Sequence, residues 1–269
     1  MNHRIVRALR YVFGVLKNLP PVRRVYSILV PDAMSDWQIG AGLFQSFPAA
    51  LNAVPPERKV GFDQPAMVNF CAGLTTRVFT SDYAIAFWLR SLLAQSSTLF
   101  ELGGNIGITY YALERLLQYP ASLRWLICDL PLILQRGREL AAQRQARHLA
   151  FTASYADADG CDLLLTAGTL QYLATDLAAI LAPLQRKPRH LLINRLPLSD
   201  GDPYVTLQDL GPVICVYRVF ARGPFIASLL QLGYRLVDQW ECPENACRVR
   251  YHPATMVTPY SGLYLELNA

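Results

Sequence analysis

The sequence predicts an α/β fold: a mostly parallel sheet with helices on both faces and an antiparallel last strand. Three observations carry this. Beyond residue 97, short apolar runs of strand length alternate with segments whose apolar residues recur at helical spacing. The first of these runs passes through a cluster of glycines straight into a helical pattern (LFELGGNIGITYYAL). The last two strand patterns, 234–241 and 262–267, have no helical pattern between them, so they are expected to pair antiparallel at one edge.

The elements follow in order. In residues 1–30, Ile5, Leu9, Val12 and Leu16 share one helical face with Arg4, Arg7, Arg10 and Lys17 around it, and Pro20-Pro21 ends the pattern. The charges interrupt the apolar run too often for a signal peptide or a membrane span. Such a basic amphipathic helix can lie on an anionic membrane surface or dock its stripe on the rest of the chain, and both readings stay open. Residues 31–80 are rich in Pro, Gly, Trp and Phe without sustained periodicity and read as a cap. Ser81 and Asp82 open a helix, as cap and first-turn acid, with Ile85, Trp88, Leu89 and Leu92 as its core stripe. Strands are expected over 97–100, 123–128, 148–152, 161–166 and 190–195, with helices over 108–117 and 131–143 and a stripe at Leu177, Ile180, Leu181 and Leu184. Pro131 suits a first helical position because its missing N–H is not needed there. The insertion 196–222 is long for a strand-to-helix connection, and such loops are commonly functional. A short helix over 224–232 is stopped by Gly233.

The glycine turn points to a nucleotide-containing ligand, since glycines let backbone approach a ligand and a helix start offers unpaired N–H groups. A dinucleotide fingerprint from Gly103 would need glycine where Asn105 and Ile108 stand, and no Gly-Lys-Ser/Thr follows for a P-loop. What remains is acid-x-Gly-x-(Gly/Asn)-x-Gly, Glu101 to Gly107, which resembles motif I of the Rossmann-like S-adenosylmethionine (SAM) methyltransferases. That resemblance implies S-adenosyl-L-methionine as cofactor, with Glu101, Gly103, Gly104, Asn105 and Gly107 forming the loop that lies against its methionine part. Asn105 departs from the commoner glycine but tolerates left-handed backbone angles. About twenty residues beyond the turn, a second strand ends at Asp129, followed by Leu130, the spacing of a carboxylate that accepts ribose hydroxyls.

The phrases FELGGNIGITYYAL, LRWLICDLP, DADGCDLLLTAGTLQYL, PRHLLINRLPLSDG and YRVFARGPFIASLLQLGYRLVDQWE, with HPATMVTPYSGLYLEL, together resemble a bacterial methyltransferase family found among surface-polysaccharide genes. The similarity runs from residue 36 to the end. It implies a SAM-binding domain over 81–269, adenine contacts from Tyr155 or Asp157, and cofactor contacts from Gly168, Thr169 and Gln171. It further implies a saccharide or saccharide-lipid acceptor at the cytoplasmic membrane face. Tyr172, Asn194, Arg195, Asp200, Tyr217, Arg218, His252 and Tyr260 fall in segments expected to border the acceptor. Among them His252 is named as a base, because its loop is expected to face the substrate. The acceptor is expected to enter between the 31–80 cap and the 196–222 insertion.

Composition limits the partners. A net charge of +5 spread along 269 residues, without an aromatic-basic recognition motif, does not make a nucleic-acid surface. Six cysteines without a C-x-x-C pair or suitable histidine spacing predict no metal site, and Cys128 and Cys161 read as buried thiols in core strands. Two other classes stand beside the methyltransferase. An NAD-type oxidoreductase is disfavoured by the failed glycine spacing. A non-catalytic scaffold of the same fold stays in view because no catalytic residue stands out. Nothing in the pattern fixes an oligomeric state.

Overall fold

The computed structural model describes residues 39–268, apart from the side chains of 68–70. The helix expected over 1–30 and the first part of the 31–80 region lie outside the described residues. In chain order the elements are β1 (Ile39–Phe44), α1 (Phe47–Asn52), α2 (Pro65–Ala72), α3 (Asp82–Leu92), β2 (Thr98–Leu102), α4 (Ile108–Leu113), β3 (Arg124–Cys128), α5 (Pro131–Gln143), β4 (Leu149–Thr152), β5 (Leu163–Ala167) and α6 (Leu177–Leu181). They continue with β6 (His190–Leu196), β7 (Leu198–Ser199), β8 (Tyr204–Asp209), β9 (Ile214–Ala221), α7 (Arg222–Leu230), β10 (Tyr234–Cys242), β11 (Cys247–Val249), β12 (His252–Val257) and β13 (Tyr260–Leu267).

The main sheet has seven strands in the order β10-β13-β6-β5-β2-β3-β4. Strands β6, β5, β2, β3 and β4 run parallel, while β13 lies antiparallel to both β6 and β10. The expected fold class is therefore what the chain adopts. Alternation along each strand divides the core between two faces. Leu99, Trp125, Ile127, Leu165 and Leu192 pack with Ile85 and Leu89 of α3 and with Ala141 of α5. Phe100, Leu126, Leu164 and Leu191 pack on the other face with Leu177 and Ile180 of α6 and Leu229 of α7. The parallel order sends the chain ends of β2, β3, β5 and β6 to one edge of the sheet.

Five expectations are corrected. Residues 247–257, read as a loop, form the β11–β12 hairpin between β10 and β13. The 31–80 region and the 196–222 insertion, read as cap and loop, contribute strands to one second sheet, β12-β11-β1-β8-β9-β7. Ser81 does not cap α3: its backbone is already helical, and the Asp82 carboxylate accepts the Phe79 N–H at 2.9 Å. The helix expected over 108–117 ends at Leu113, where the chain turns back and the Tyr119 hydroxyl donates to the Tyr110 carbonyl at 2.7 Å. Cys161 precedes β5 rather than lying in it and is only half-buried, while Cys128 is buried as expected.

Candidate functional site

The glycine loop leaves β2 at the carboxyl edge of the sheet. Gly103 and Gly107 have φ of +72° and +98°, and Asn105 has φ of 55°, the left-handed angle its side chain tolerates. Its side chain closes the turn by accepting the Ile106 N–H at 2.9 Å. The glycines, however, admit protein rather than open space. A Cβ on Gly103 would fall 2.1 Å from Thr169 Cγ2, and one on Gly104 would fall 2.6 Å from the Glu101 carboxyl carbon. Thr169 also donates to the Gly103 carbonyl at 3.1 Å. The turn after β5 is thus locked onto the loop by a side chain that fits only over a bare α-carbon.

Glu101 points inward. It is 1% exposed and accepts the Trp125 indole N–H at 2.8 Å. Burial pushes its carboxyl up to about 7, against the lowering effect of hydrogen bonds from Thr109 and Trp125 and of the Arg195 charge. It shapes the loop from beneath.

Asp129 binds the loop from the side. Its Oδ2 accepts the Asn105 N–H at 2.8 Å and its Oδ1 accepts the Leu130 N–H at 2.8 Å. The residue is half-buried, and burial pushes the carboxyl up to about 6, opposed by these two bonds and reinforced by the nearby Asp63 charge. Asp63 itself accepts the Leu132 N–H at 2.9 Å and so pins the 31–80 region to the start of α5. The Cys71 thiol of α2, pushed by burial up to about 11, is hydrogen-bonded to Asn105. Leu130 and Tyr155 beside Asp129 are exposed large apolar side chains, at 42% and 40%. Asp157 accepts the Thr152 hydroxyl at 2.6 Å and is exposed.

The ends of β5 and β6 complete the edge. Gly168, with φ of +76°, donates its N–H to the Asn194 carbonyl at 2.9 Å. Gln171 is buried at 4% exposure. Asn194 accepts from Trp240 Nε1 at 3.0 Å and donates to the Ser81 hydroxyl oxygen at 3.2 Å. Arg195 pairs with buried Asp82 at 2.6 Å, and its guanidinium lies 4.9 Å from the centre of the Phe79 ring.

The second sheet packs against this edge through Tyr172, whose hydroxyl donates to Gln208 Oε1 at 2.6 Å. Tyr217 and Tyr260 are buried with their hydroxyls 2.6 Å apart, and burial raises both well above the usual phenol range. Arg218 pairs with Asp176 and Asp200 with Arg222, each at 2.7 Å. A cavity of about 530 Å³ opens at the same edge, lined by Ser199, Asp200, Arg222, Trp240, Glu241, Tyr260 and their neighbours. The insertion lines it, but no described residue of the 31–80 region does, so the expected entry between cap and insertion is not where this cavity lies. His252 is not in a loop. It opens the edge strand β12, while the cavity takes Met256 and Val257 from the far end of that strand, about 13 Å away at strand rise.

The structure therefore brings Glu101, the 103–107 loop, Asp129, Leu130, Tyr155, Gly168, Thr169 and Gln171 to one edge and leaves His252 away from them. Asp63, Cys71, Phe79, Asp82 and Trp125 were missed, because nothing in local periodicity shows which distant side chain reaches a loop.

Several solved structures share this fold. The 1,6-didemethyltoxoflavin-N1-methyltransferase of Burkholderia thailandensis, with bound 1,6-didemethyltoxoflavin and S-adenosylhomocysteine, is 18% identical over 80% of this chain and 98% of its own, with a TM-score of 0.50. A SAM-dependent methyltransferase from Aquifex aeolicus is 13% identical over 76% and 99%, with a TM-score of 0.51. A mitomycin 7-O-methyltransferase is 18% identical over 77% of this chain but only 59% of its own, with a TM-score of 0.50. No family model and no curated protein matches the sequence. The chain has the Rossmann-like fold of the SAM-dependent methyltransferases. At such identities the likeness shows the fold and not the reaction.

The raised Glu101 carboxyl predicts a pH-dependent stability. The folded chain holds this proton up to about pH 7 and the unfolded chain releases it near 4.5, so its contribution declines as pH rises between those values and is level above. The size is on the order of a few kcal/mol. Glu101→Gln, which still accepts the indole N–H, is expected to remove that slope; denaturant unfolding of both proteins from pH 4.5 to 8 measures it.

Proposed function

We propose that the chain is a SAM-dependent methyltransferase acting on a hydroxyl of a saccharide or saccharide-lipid precursor. The observation that carries the reading is the Asp129 carboxylate, anchored by the Asn105 and Leu130 amides at the loop. A carboxylate has about four lone-pair sites, so two remain for hydroxyl donors. A ribose 2′,3′-diol suits that capacity. Leu130 and Tyr155 offer apolar surface beside it for an adenine, and Gly168, Thr169 and Gln171 stand on the loop's other side.

A bound SAM supplies a methyl group already activated by its sulfonium. The protein's part is alignment and exclusion of water. Thr169 and Asp129 fix the loop from two sides, so its backbone is set before a ligand arrives. His252 stands too far along β12 to be supported as the base by the described geometry. The saccharide acceptor is supported by the resemblance to a polysaccharide-associated family and by the cavity's carboxylates, amide, hydroxyls and tryptophan, groups that suit a ligand with many hydroxyls. The 31–80 and 196–222 segments, joined in one sheet, are assigned to the acceptor side. The basic pattern of residues 1–30 supports a place at the cytoplasmic membrane face. Among the described residues, no helix is long and apolar enough to cross a membrane.

Two measurements test this. Affinity for S-adenosylhomocysteine is expected to be level above pH 7 and to weaken as pH falls through about 6, where Asp129 takes up a proton; Asp63→Asn is expected to move that midpoint lower. Incubation with methyl-labelled SAM and cell-envelope extract is expected to label the saccharide or lipid-linked saccharide fraction. Cofactor binding with no transfer to any fraction would leave a scaffold.

A further inference from the structure

We infer that the outward face of α3, with the arginines around it, docks the protein on an anionic lipid bilayer. This deepens the membrane placement proposed above and rests on it; the methyl-transfer reading is not needed for it.

Helix α3 has two faces of opposite kind. Ile85 and Leu89 are buried against the sheet. Half a turn round, Tyr83, Phe87 and Arg90 recur at i, i+4 and i+7 and so share the other face. Tyr83 is 60% exposed and Phe87 68%, the two most exposed large apolar side chains among the described residues. The Phe87 ring stands edge-on to Trp88 at 5.2 Å, and Trp88 is itself fixed by its indole N–H to Asp238 at 2.9 Å. Single exposed apolar residues are ordinary, but two aromatic rings one helical turn apart on a firm base form a patch. Such rings suit a bilayer boundary, where the apolar body enters the lipid and a tyrosine hydroxyl stays among the head groups.

The charge around the patch selects the partner. Arg77 stands ahead of α3, stacked on Phe79 at 4.5 Å, and Phe79 donates its N–H to Asp82 in the first turn. Arg115 donates to the Thr76 carbonyl at 3.1 Å and Arg144 to the Thr75 hydroxyl at 3.2 Å, so both border the segment that leads to Arg77. These three and Arg90 are exposed, and among the described residues none of the four forms an ion pair. Of the acids nearby, Asp238 and Glu244 are half-buried in hydrogen bonds to Trp88 and Ser81, Asp82 is buried against Arg195, and Glu114 is exposed. The exposed charge on this side is therefore positive, and an anionic surface complements it.

The amino-terminal sequence decides against a cover from within the chain. Residues 1–30 combine an apolar stripe with Arg4, Arg7, Arg10 and Lys17. Strand β1 begins beside Arg248, four residues after Glu244, whose carboxylate accepts the Ser81 N–H and hydroxyl just ahead of α3. The basic segment thus joins the described chain close to the start of α3. Laying it on the α3 face would set arginine against arginine, whereas one anionic bilayer suits both. The same end of α3 borders the candidate site, since Asn194 at the end of β6 donates to the Ser81 hydroxyl oxygen at 3.2 Å. A lipid-linked acceptor in that bilayer would lie on the site's side of the protein.

The test is sedimentation of the intact protein with vesicles of phosphatidylcholine alone and of phosphatidylcholine mixed with phosphatidylglycerol, at low and high salt. Binding to the mixed vesicles that falls with salt is expected, with little binding to the neutral ones. Tyr83→Ser/Phe87→Ser is expected to lose about tenfold or more in binding with an unchanged melting temperature, because both side chains are exposed. Arg77→Gln/Arg90→Gln is expected to lose about tenfold or more as well, at roughly fivefold per cation near an anionic surface. Equal binding by the unaltered chain and Tyr83→Ser/Phe87→Ser would overturn this surface and leave the membrane placement standing. No binding by the unaltered chain would overturn both. A dimer in light scattering that Tyr83→Ser/Phe87→Ser dissolves would give the face to a second copy and overturn the lipid assignment.

Discussion

The hydrogen bond that Asp129 accepts from the Asn105 amide ties neighbouring strand ends into one surface, and the one from the adjacent Leu130 amide fixes the direction of the carboxylate. Parallel strands alone bring β2 and β3 only to the same edge; they do not fix the loop that follows. A carboxylate at the end of β3 reaching the loop after β2 does so from one side, and Thr169 seated on Gly103 does so from the other. The loop's left-handed residues are stable because both neighbours over-determine them. The energetic consequence is an acid whose carboxyl is partly desolvated yet still half-open, which is where a hydroxylated ligand gains most from a charged acceptor.

Beneath that surface lies a second buried acid with a different part. Glu101 is enclosed, satisfied by Trp125 and Thr109, and fills the face of Gly104. Two carboxyl groups on adjacent strands therefore divide the work: one supports the loop from within and the other presents lone pairs outward. The glycines belong to this packing. Their lack of a side chain serves Thr169 and Glu101 before it serves any ligand.

The main sheet was legible in the sequence because each strand is a short apolar run bounded by turn residues and each helix repeats at its own period, as 124–128 followed by Pro131 shows. The loop and Asp129 were legible because their spacing along the chain mirrors adjacent strands. The second sheet was not. Its strands come from three distant segments, and β1, with two glycines in six residues, carries little apolar signal of its own. The β11–β12 hairpin was hidden for the same reason, and with it the true setting of His252. Gly168 and Asn194 could be named but not paired, since only the sheet order places the ends of β5 and β6 side by side.

The central claim is that Asp129 and the glycine loop form a site for the SAM nucleoside, and calorimetry tests it most directly. S-adenosylhomocysteine and NAD would each be titrated into the intact protein and into Asp129→Asn at pH 7.5. The account predicts saturable binding of S-adenosylhomocysteine with none of NAD, and a loss of about tenfold or more in Asp129→Asn, as removal of a charged hydrogen-bond acceptor implies. Tight binding of NAD with none of S-adenosylhomocysteine, or unchanged affinity in Asp129→Asn, would contradict it.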